Sequence, residues 1–588
     1  MCQLALDKIE FCKIYILGSK VMWILEAKYD DFYYLKACAQ SSILLDFGTT
    51  FSGCSYIYIK SSINEIFDIT DWPKRSGYIY PKVPTVLFYE QNSKNLIAWG
   101  YDAIQRAKRP DTMGVLIDKF KLHLDHSQTY PALPNGLTVL EVITDYLREF
   151  NLYIHTCLKD KLGVIYNSSN FKYCLTVPAI WDDQAKAIMR EAAVLAGIVD
   201  RSDNPDRLIL TSEPEAASLY CEKKSGQFNL KHGQRFMICD AGGGTLDLIV
   251  FEIDTSSGDA SLREVTKGSG STCGSTFLDR NMRDLIIKRF GTYADGNKEI
   301  IDNLIDHFVA STKPQFDDED DEFFTIPISL GLNEEILANI GVADGRLQVT
   351  VDELREDVFE PVVKQVLDLI SDQINQSRTQ IDAIFLVGGF GQSRYLGRRV
   401  KEIFKPKVGS IYVPSRGEMA VVRGAVMFGM DPNKVTHRIL RRTYGLRCGS
   451  IFDALRDPPE KKYIDYDGVT RCHDRFSIFA TKGESMAVNK CVSNEYFVFY
   501  PGPFNSDLFA YDFDGSSPRY TTDLGVRKVA KFSKELSIFT NVKLGDKIFF
   551  TTNMYFGKTE IMIETLIRGE KFTYTSSFAS HELEKTSS

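Results

Sequence analysis

Asp240 and Asp247 bracket the run Ala241-Gly242-Gly243-Gly244-Thr245-Leu246, and Asp46 opens a related run, Phe47-Gly48-Thr49-Thr50. Carboxylates and hydroxyls placed around bare glycine amides suit one chemistry well. Backbone N–H groups without a side chain beside them can close on phosphate oxygens. The carboxylates can hold water on Mg2+, which keeps most of its hydration shell and takes few protein ligands directly. A third run, Val387-Gly388-Gly389-Phe390-Gly391, offers backbone against which a nucleoside can lie. Taken singly, each is equally well a glycine-rich turn. Three in this order point to one polyphosphate clamped between two related halves.

Each run ends or joins apolar stretches of strand length: Ile43-Leu44-Leu45, Tyr56 to Ile59, Phe236 to Cys239, Leu248 to Phe251 and Ile384 to Val387. The first two motifs are therefore expected to be hairpin turns. Gly268 to Phe277 is rich in Gly, Ser and Thr and precedes an expected helix over 277–290, so Gly274 and Ser275 are candidate phosphate contacts at a helix N-terminus. Helical spacing runs from Leu137 to Leu158. It recurs from Gln184 to Gly197, where an alanine stripe suits a helix crossing between the halves, and from Val351 to Ile374, where Pro361 should interrupt it.

These motifs resemble the phosphate 1, phosphate 2 and adenosine segments of the actin, sugar-kinase and heat-shock 70 kDa superfamily. Leu175-Thr176-Val177-Pro178-Ala179 and Ser212-Glu213-Pro214-Glu215-Ala216-Ala217 are similar to the heat-shock 70 kDa side. Arg441-Arg442-Thr443-Tyr444-Gly445, Asp467-Gly468-Val469 and Pro518-Arg519-Tyr520 resemble its divergent 12A/12B branch. The resemblance implies an α/β fold: a two-lobed actin-like ATPase with duplicated ribonuclease-H-like sheets, followed by a smaller β-rich domain. It implies ATP or ADP with Mg2+, and K+ as a candidate further ion. Gly48, Thr49, Thr50, Gly242, Gly243, Gly244 and Thr245 would then hold phosphates, and Gly388, Gly389 and Phe390 the nucleoside. Asp46, Glu213, Asp240 and Asp247 would orient magnesium-bound and attacking water, the three aspartates serving the metal mostly through water.

Three departures bear on activity. If the family's catalytic lysine lies four residues beyond Gly100, its place is taken by Ile104, with Lys108, Lys119 and Lys121 as alternatives. The adenine-stacking arginine falls near Gln392, and Asp431 to Val435 replaces an acidic, leucine-rich linker. On that reading nucleotide binding outlasts hydrolysis. A weak or regulatory ATPase leads, a catalytically silent nucleotide-gated scaffold is second, and a small-molecule kinase on the same fold is third.

At 588 residues the chain exceeds a single core. The expected division is an extension over 1–41, a nucleotide-binding region over 42–430, a β-rich domain over 435–575 and a polar tail over 576–588. Upper subdomains are expected near 81–135 and 277–348. Short aromatic and β-branched runs such as Tyr496 to Tyr500 and Lys547 to Phe550 mark the β-rich domain, which offers a surface for unfolded segments or specific protein partners and leaves no room for a helical lid. The acidic run 317–322 reads as a solvated loop. A net charge of −8 argues against nucleic acid as a bulk partner. Charged residues interrupt 11–25, so neither a membrane span nor a signal peptide is expected. Twelve cysteines without a C-x-x-C pair favour reduced thiols and the cytosol.

Overall fold

The computed structural model describes the backbone of residues 13–17 and 20–24, and residues 41–575 apart from 58–64, 76–79, 110, 127, 225–229, 257, 320–322, 329–333, 502–503 and 535–541. The rest of the extension, the polar tail and part of the acidic run lie outside the described residues.

Two sheets of the same construction form the nucleotide-binding region. In the first lobe the strands are β1 (Ser41–Asp46), β2 (Phe51–Ile57), β3 (Ile66–Ile69), β4 (Phe171–Val177) and β5 (Leu208–Ser212), in the spatial order β5-β4-β1-β2-β3. The second lobe uses β6 (Arg235–Ala241), β7 (Leu246–Asp254), β8 (Ser261–Glu264), β9 (Ala383–Val387) and β10 (Ser410–Tyr412) in the order β10-β9-β6-β7-β8. Both sheets pair their first three strands antiparallel and the last two parallel. One plan is thus used twice. The parallel central strands are buried on both faces, which is why β6 and β9 read as unbroken apolar runs.

Helices cover these sheets. Helix α1 (Val139–Leu162) starts at a capping box of Thr138 and Glu141, and α2 (Asp183–Leu195) is capped by Asp182. The alanines of α2 enter the first lobe's own core with Phe150 and Leu175. The expected crossing helix between lobes is therefore a different pair. Helix α3 (Glu213–Lys223) meets α6 (Ala420–Met430) so closely that a Cβ on Gly424 would stand 1.7 Å from the Ala216 carbonyl oxygen. Small residues permit that contact and larger ones forbid it. Helix α4 spans Thr276–Phe290. The helix over 351–377 is broken by a π-type turn at Leu354–Phe359 before α5 (Glu360–Ser377), because Pro361 lacks an N–H and crowds the preceding turn.

Small three-stranded sheets top each lobe: Leu96–Trp99, Val86–Glu90 and Gly114–Asp118 on the first, Phe323–Pro327, Arg346–Thr350 and Val342–Ala343 on the second. Among the described residues no α-helix follows Met430. The chain instead leaves α6 as β11 (Val435–Ile439), which pairs in parallel with β8 and carries β12 (Ser485–Ala487) on its other edge. The β-rich region is thereby joined to the second lobe by a shared sheet. Its remaining strands form a five-stranded and a four-stranded antiparallel sheet around a core that includes Leu446, Phe479, Leu508, Met554 and Ile563. The run Leu536 to Phe539 lies outside the described residues.

Candidate functional site

The two hairpin turns meet tip to tip between the lobes. A Cβ on Gly243 would lie 2.4 Å from the Thr50 hydroxyl oxygen, and one on Gly244 2.5 Å from that of Thr49. Glycine is required here by the approach of the opposite hairpin. Gly388 brings in the third motif. It adopts φ +80, and a Cβ there would stand 2.4 Å from the Ala241 carbonyl oxygen and 2.5 Å from Asp240 Oδ1. All three glycine runs thus border one cleft, with Gly242 and Thr245 closing the second turn through the Gly242 N–H to the Thr245 carbonyl. Phe390 is buried, and Gly389 faces the Tyr80 hydroxyl.

Gly274 and Ser275 play another part. The Gly274 N–H donates to the Gly244 carbonyl at 3.0 Å and the Ser275 N–H to the Gly242 carbonyl at 3.1 Å. Thr276 likewise donates to Gly243 at 2.8 Å. These amides are spent on the hairpin, so Gly274 and Ser275 support the phosphate turn from behind; the expected direct contact through their N–H groups is corrected accordingly. The cause is geometric: the start of α4 packs against the outside of the turn.

The carboxylates are buried and differently held. Asp46 Oδ2 accepts from Lys82 Nζ at 2.7 Å and Oδ1 from the Thr176 hydroxyl at 2.8 Å. Asp247 Oδ1 accepts from the N–H groups of Ala179 and Ile180 at 2.7 and 3.2 Å, while its Oδ2 has no partner among the described residues. Glu213, the first residue of α3, accepts from Lys121 Nζ at 2.6 Å. The same ammonium donates to the Phe47 carbonyl at 2.6 Å. Lys121 is 3% exposed, held in a short 3-10 turn over Phe120–Leu124.

Burial pushes Glu213 up to about 7, with Lys121 opposing and Asp247 and Asp46 adding to the rise. Asp240 is raised well above the usual carboxylate range by burial and by Glu213, Asp247 and Asp46 around it. Burial also raises Asp247, against its two backbone donors. For Lys82 burial works against the charge, but Asp46 outweighs it and the ammonium is held more firmly than usual. Four carboxylates thus share the cleft with two ammonium groups. Ionising all four would leave a surplus of two negative charges, and it is that ionised state, with the Asp247 Oδ2 that has no partner among the described residues, that a divalent cation would favour. Among the described residues no cluster of His, Cys, Asp or Glu is spaced to grip an ion directly, so Mg2+ fits this cleft as a hydrated ion.

Ile104 is not at the cleft. It packs in the first upper subdomain beside Val86, Phe88, Ala98 and Ala103. The lysines at the site are Lys121 and Lys82, and the reading of a missing charge at Ile104 is corrected by its position. Lys108 pairs instead with Asp306 across the top of the lobes, and Lys119 with Asp118. Lys82 is the site residue that no motif points to; Thr176 stands in the Leu175 to Ala179 segment, which assigns it no role. Pro81-Lys82-Val83-Pro84 looks like a loop, yet Val83–Pro84 pairs with β2 and places Lys82 beside Asp46.

The profile described as Hsp70 protein matches residues 155–430, covering α3, the second hairpin and the third motif. Over most of its length the chain is similar to heat shock 70 kDa proteins of the 12A/12B kind. It is 26% identical to mouse 12A over 604 aligned positions, which cover 88% of each chain. To human 12B it is 27% identical, covering 84% of this chain and 83% of that one. The chain is thus similar to Hsp70 proteins, by the family profile over residues 155–430 and by these relatives over most of its length. To the bacterial chaperone protein DnaK of Thermosipho africanus it is 24% identical, covering 61% of this chain and 54% of that one. Hsp70 proteins generally bind nucleotide with Mg2+, and the glycine turns of this cleft are compatible with that chemistry. No helix among the described residues is long and apolar enough to cross a membrane.

Proposed function

We propose that the cleft binds ATP and ADP with hydrated Mg2+ and hydrolyses ATP slowly, while the β-rich module engages protein partners. The observation that carries this reading is Lys121 lodged between Glu213 and the first phosphate turn. Phosphoryl transfer to water needs chiefly positioning and charge stabilisation. Thr49, Thr50, Gly243, Gly244 and Thr245 would hold the phosphate chain, while Gly242, whose N–H closes the turn onto the Thr245 carbonyl, would shape it. Gly388, Gly389 and Phe390 would hold the nucleoside, with Gln392 where a stacking arginine is usual for the family. Asp46, Asp240 and Asp247 would orient the water shell of the metal, and K+ is the candidate further ion.

Lys121 also argues for a slow reaction. Its ammonium is already engaged by a carboxylate and a carbonyl, so serving a transferring phosphoryl group means loosening those bonds. That observation keeps a second reading in play, a nucleotide-gated scaffold without useful turnover. The free, mostly buried cysteines support a reducing compartment such as the cytosol. The deciding experiment pairs ATP affinity by titration with single-turnover hydrolysis in Mg2+ and K+, with and without an unfolded peptide. Measurable turnover that falls in Lys121→Ala supports the ATPase. Tight binding with no turnover under any condition leaves the scaffold, and absence of binding removes both.

A further inference from the structure

Behind the phosphate cleft, where the first lobe, β11 and the β-rich module converge, lies a cavity of about 80 Å3. Pro178 and Ala179 form the wall that separates it from the cleft, since the Ala179 N–H binds Asp247 while its carbonyl accepts from Arg441 on the cavity side. Five basic side chains, Lys186, Arg438, Arg441, Arg442 and Lys558, line it against three acidic ones, Asp183, Glu215 and Glu264.

The acids are engaged. Glu215 accepts two hydrogen bonds from Arg438, Asp183 accepts from the Tyr444 hydroxyl at 3.1 Å and lies 3.7 Å from Arg442, and Glu264 accepts from the Ile439 N–H at 2.8 Å. Of the basic groups, Arg442 also pairs with Asp512, Lys558 with Asp206 and Lys186 donates to the Thr559 carbonyl, so the charges balance and what is left over is donors. Two of their N–H groups, Arg438 Nη1 and Arg441 Nε, are buried with no acceptor in the protein, although Arg438 is only 9% exposed. A buried guanidinium donor without an acceptor is costly, and in a native fold it marks water or an ion. One water needs roughly 10–15 Å3 of such space, so this cavity has room for more than one. A tetrahedral oxyanion would meet both orphan donors with charge-assisted bonds.

We propose that this cavity is a second anion site, separate from the nucleotide cleft, that takes a free small oxyanion of the phosphate class through Arg438, Arg441 and Lys186. The site locks β11 and the module against Pro178–Ala179, the segment that positions Asp247. It stands independently of the ATPase reading, because its residues lie on the far wall.

The test uses the full chain and inorganic phosphate as the probe, titrated calorimetrically at constant ionic strength against chloride. Saturable binding of one phosphate is expected, and it persists when a non-hydrolysable ATP analogue fills the cleft or when Lys121→Ala weakens it. Arg441→Gln should weaken phosphate at least tenfold while leaving analogue binding within about twofold. Lys186→Met, on a helix capped independently of the cavity, provides the same readout should Arg441→Gln fail to fold. Phosphate displaced by the analogue would place the anion in the cleft and overturn the proposal. No saturable binding would leave a hydrated cavity only, and also overturn it. Phosphate bound normally by a chain that binds no nucleotide would sink the ATPase reading and leave this site standing.

Discussion

The two lobes repeat one sheet plan, yet they bring opposite goods to the cleft. In the first, the hairpin carboxylate Asp46 is neutralised inside the protein by Lys82, and the neighbouring upper subdomain adds Lys121. In the second, Asp240 and Asp247 have no ammonium of their own; Asp247 is held by backbone N–H groups alone on one oxygen. Duplication fixed the geometry and left the charges free to diverge. The edges diverge too. The second sheet continues through β11 into the module, so any shift of its hairpin is connected by β7 and β8 to the β-rich region. The first sheet ends at β3. On the proposed reading, the first lobe would supply the cations near the phosphates, and the second most of the metal's carboxylates together with the link outward.

The largest expected effect comes from forcing the hairpins apart. Gly243→Val would place atoms inside the Thr50 side chain, 2.4 Å from its hydroxyl at Cβ alone. ATP binding should fall below detection, by a thousandfold or more, on the order of 4 kcal/mol. A fluorescent nucleotide titration that gives the parent's affinity would break the claim that the hairpins meet at the phosphate site. Next comes Lys121→Ala. Removing one charge stabiliser commonly costs about 3 kcal/mol, roughly a hundredfold in rate, whereas binding spread over many amides should change less than tenfold. Single-turnover hydrolysis against affinity reads the split. Equal losses in both would make Lys121 a structural plug.

Smaller again is Asp247→Asn. The amide oxygen can still accept from Ala179 and Ile180, so the fold should hold, but a negative charge leaves the metal side of the cleft. Mg2+-dependent nucleotide affinity should weaken about tenfold, roughly 1.4 kcal/mol, with little change in EDTA. The same substitution at Asp46 should behave differently, since Lys82 already balances that carboxylate. A larger Mg2+ effect at Asp46 than at Asp247 would reverse the assignment of roles between the lobes.

What was legible in the chain follows from where each signal lives. The glycine turns, the apolar strands beside them and the segments Val177-Pro178-Ala179 and Glu213-Pro214 are local patterns, and they placed the cleft. Lys121 and Lys82 carry no local pattern. Lys121 reaches Glu213 only because Lys119 takes a left-handed conformation, φ 54, and turns Phe120–Leu124 inward. Lys82 depends on two residues pairing with β2. The same holds for α2, whose alanine stripe suggested close packing correctly but could not say against what. Gly274 and Ser275 looked like phosphate amides because the rule for helix N-termini is local; their true acceptors are carbonyls some thirty residues earlier in the chain.

The smallest expected effect lies at the junction. Glu264, at the end of β8, is pushed up to about 7 by burial, with Arg441 opposing, Glu215 adding to the rise, and the Ile439 N–H and Arg438 opposing again. Its ordinary value is 4.5. Between those two values the folded chain holds a proton that the unfolded chain has released, so this group's contribution to stability falls as pH rises through the window and is flat on either side. Glu264→Gln keeps an oxygen for the Ile439 N–H but cannot ionise. The variant should match the parent near pH 4.5 and exceed it near pH 7.5. One pKa unit corresponds to about 1.4 kcal/mol, so the gain should be on the order of 1 kcal/mol or more. Urea unfolding of the full chain at both pH values measures it. A gain of the same size at both would mean that the substitution acts through packing, and that the charge on Glu264 does not set how tightly β11 is held to the second lobe.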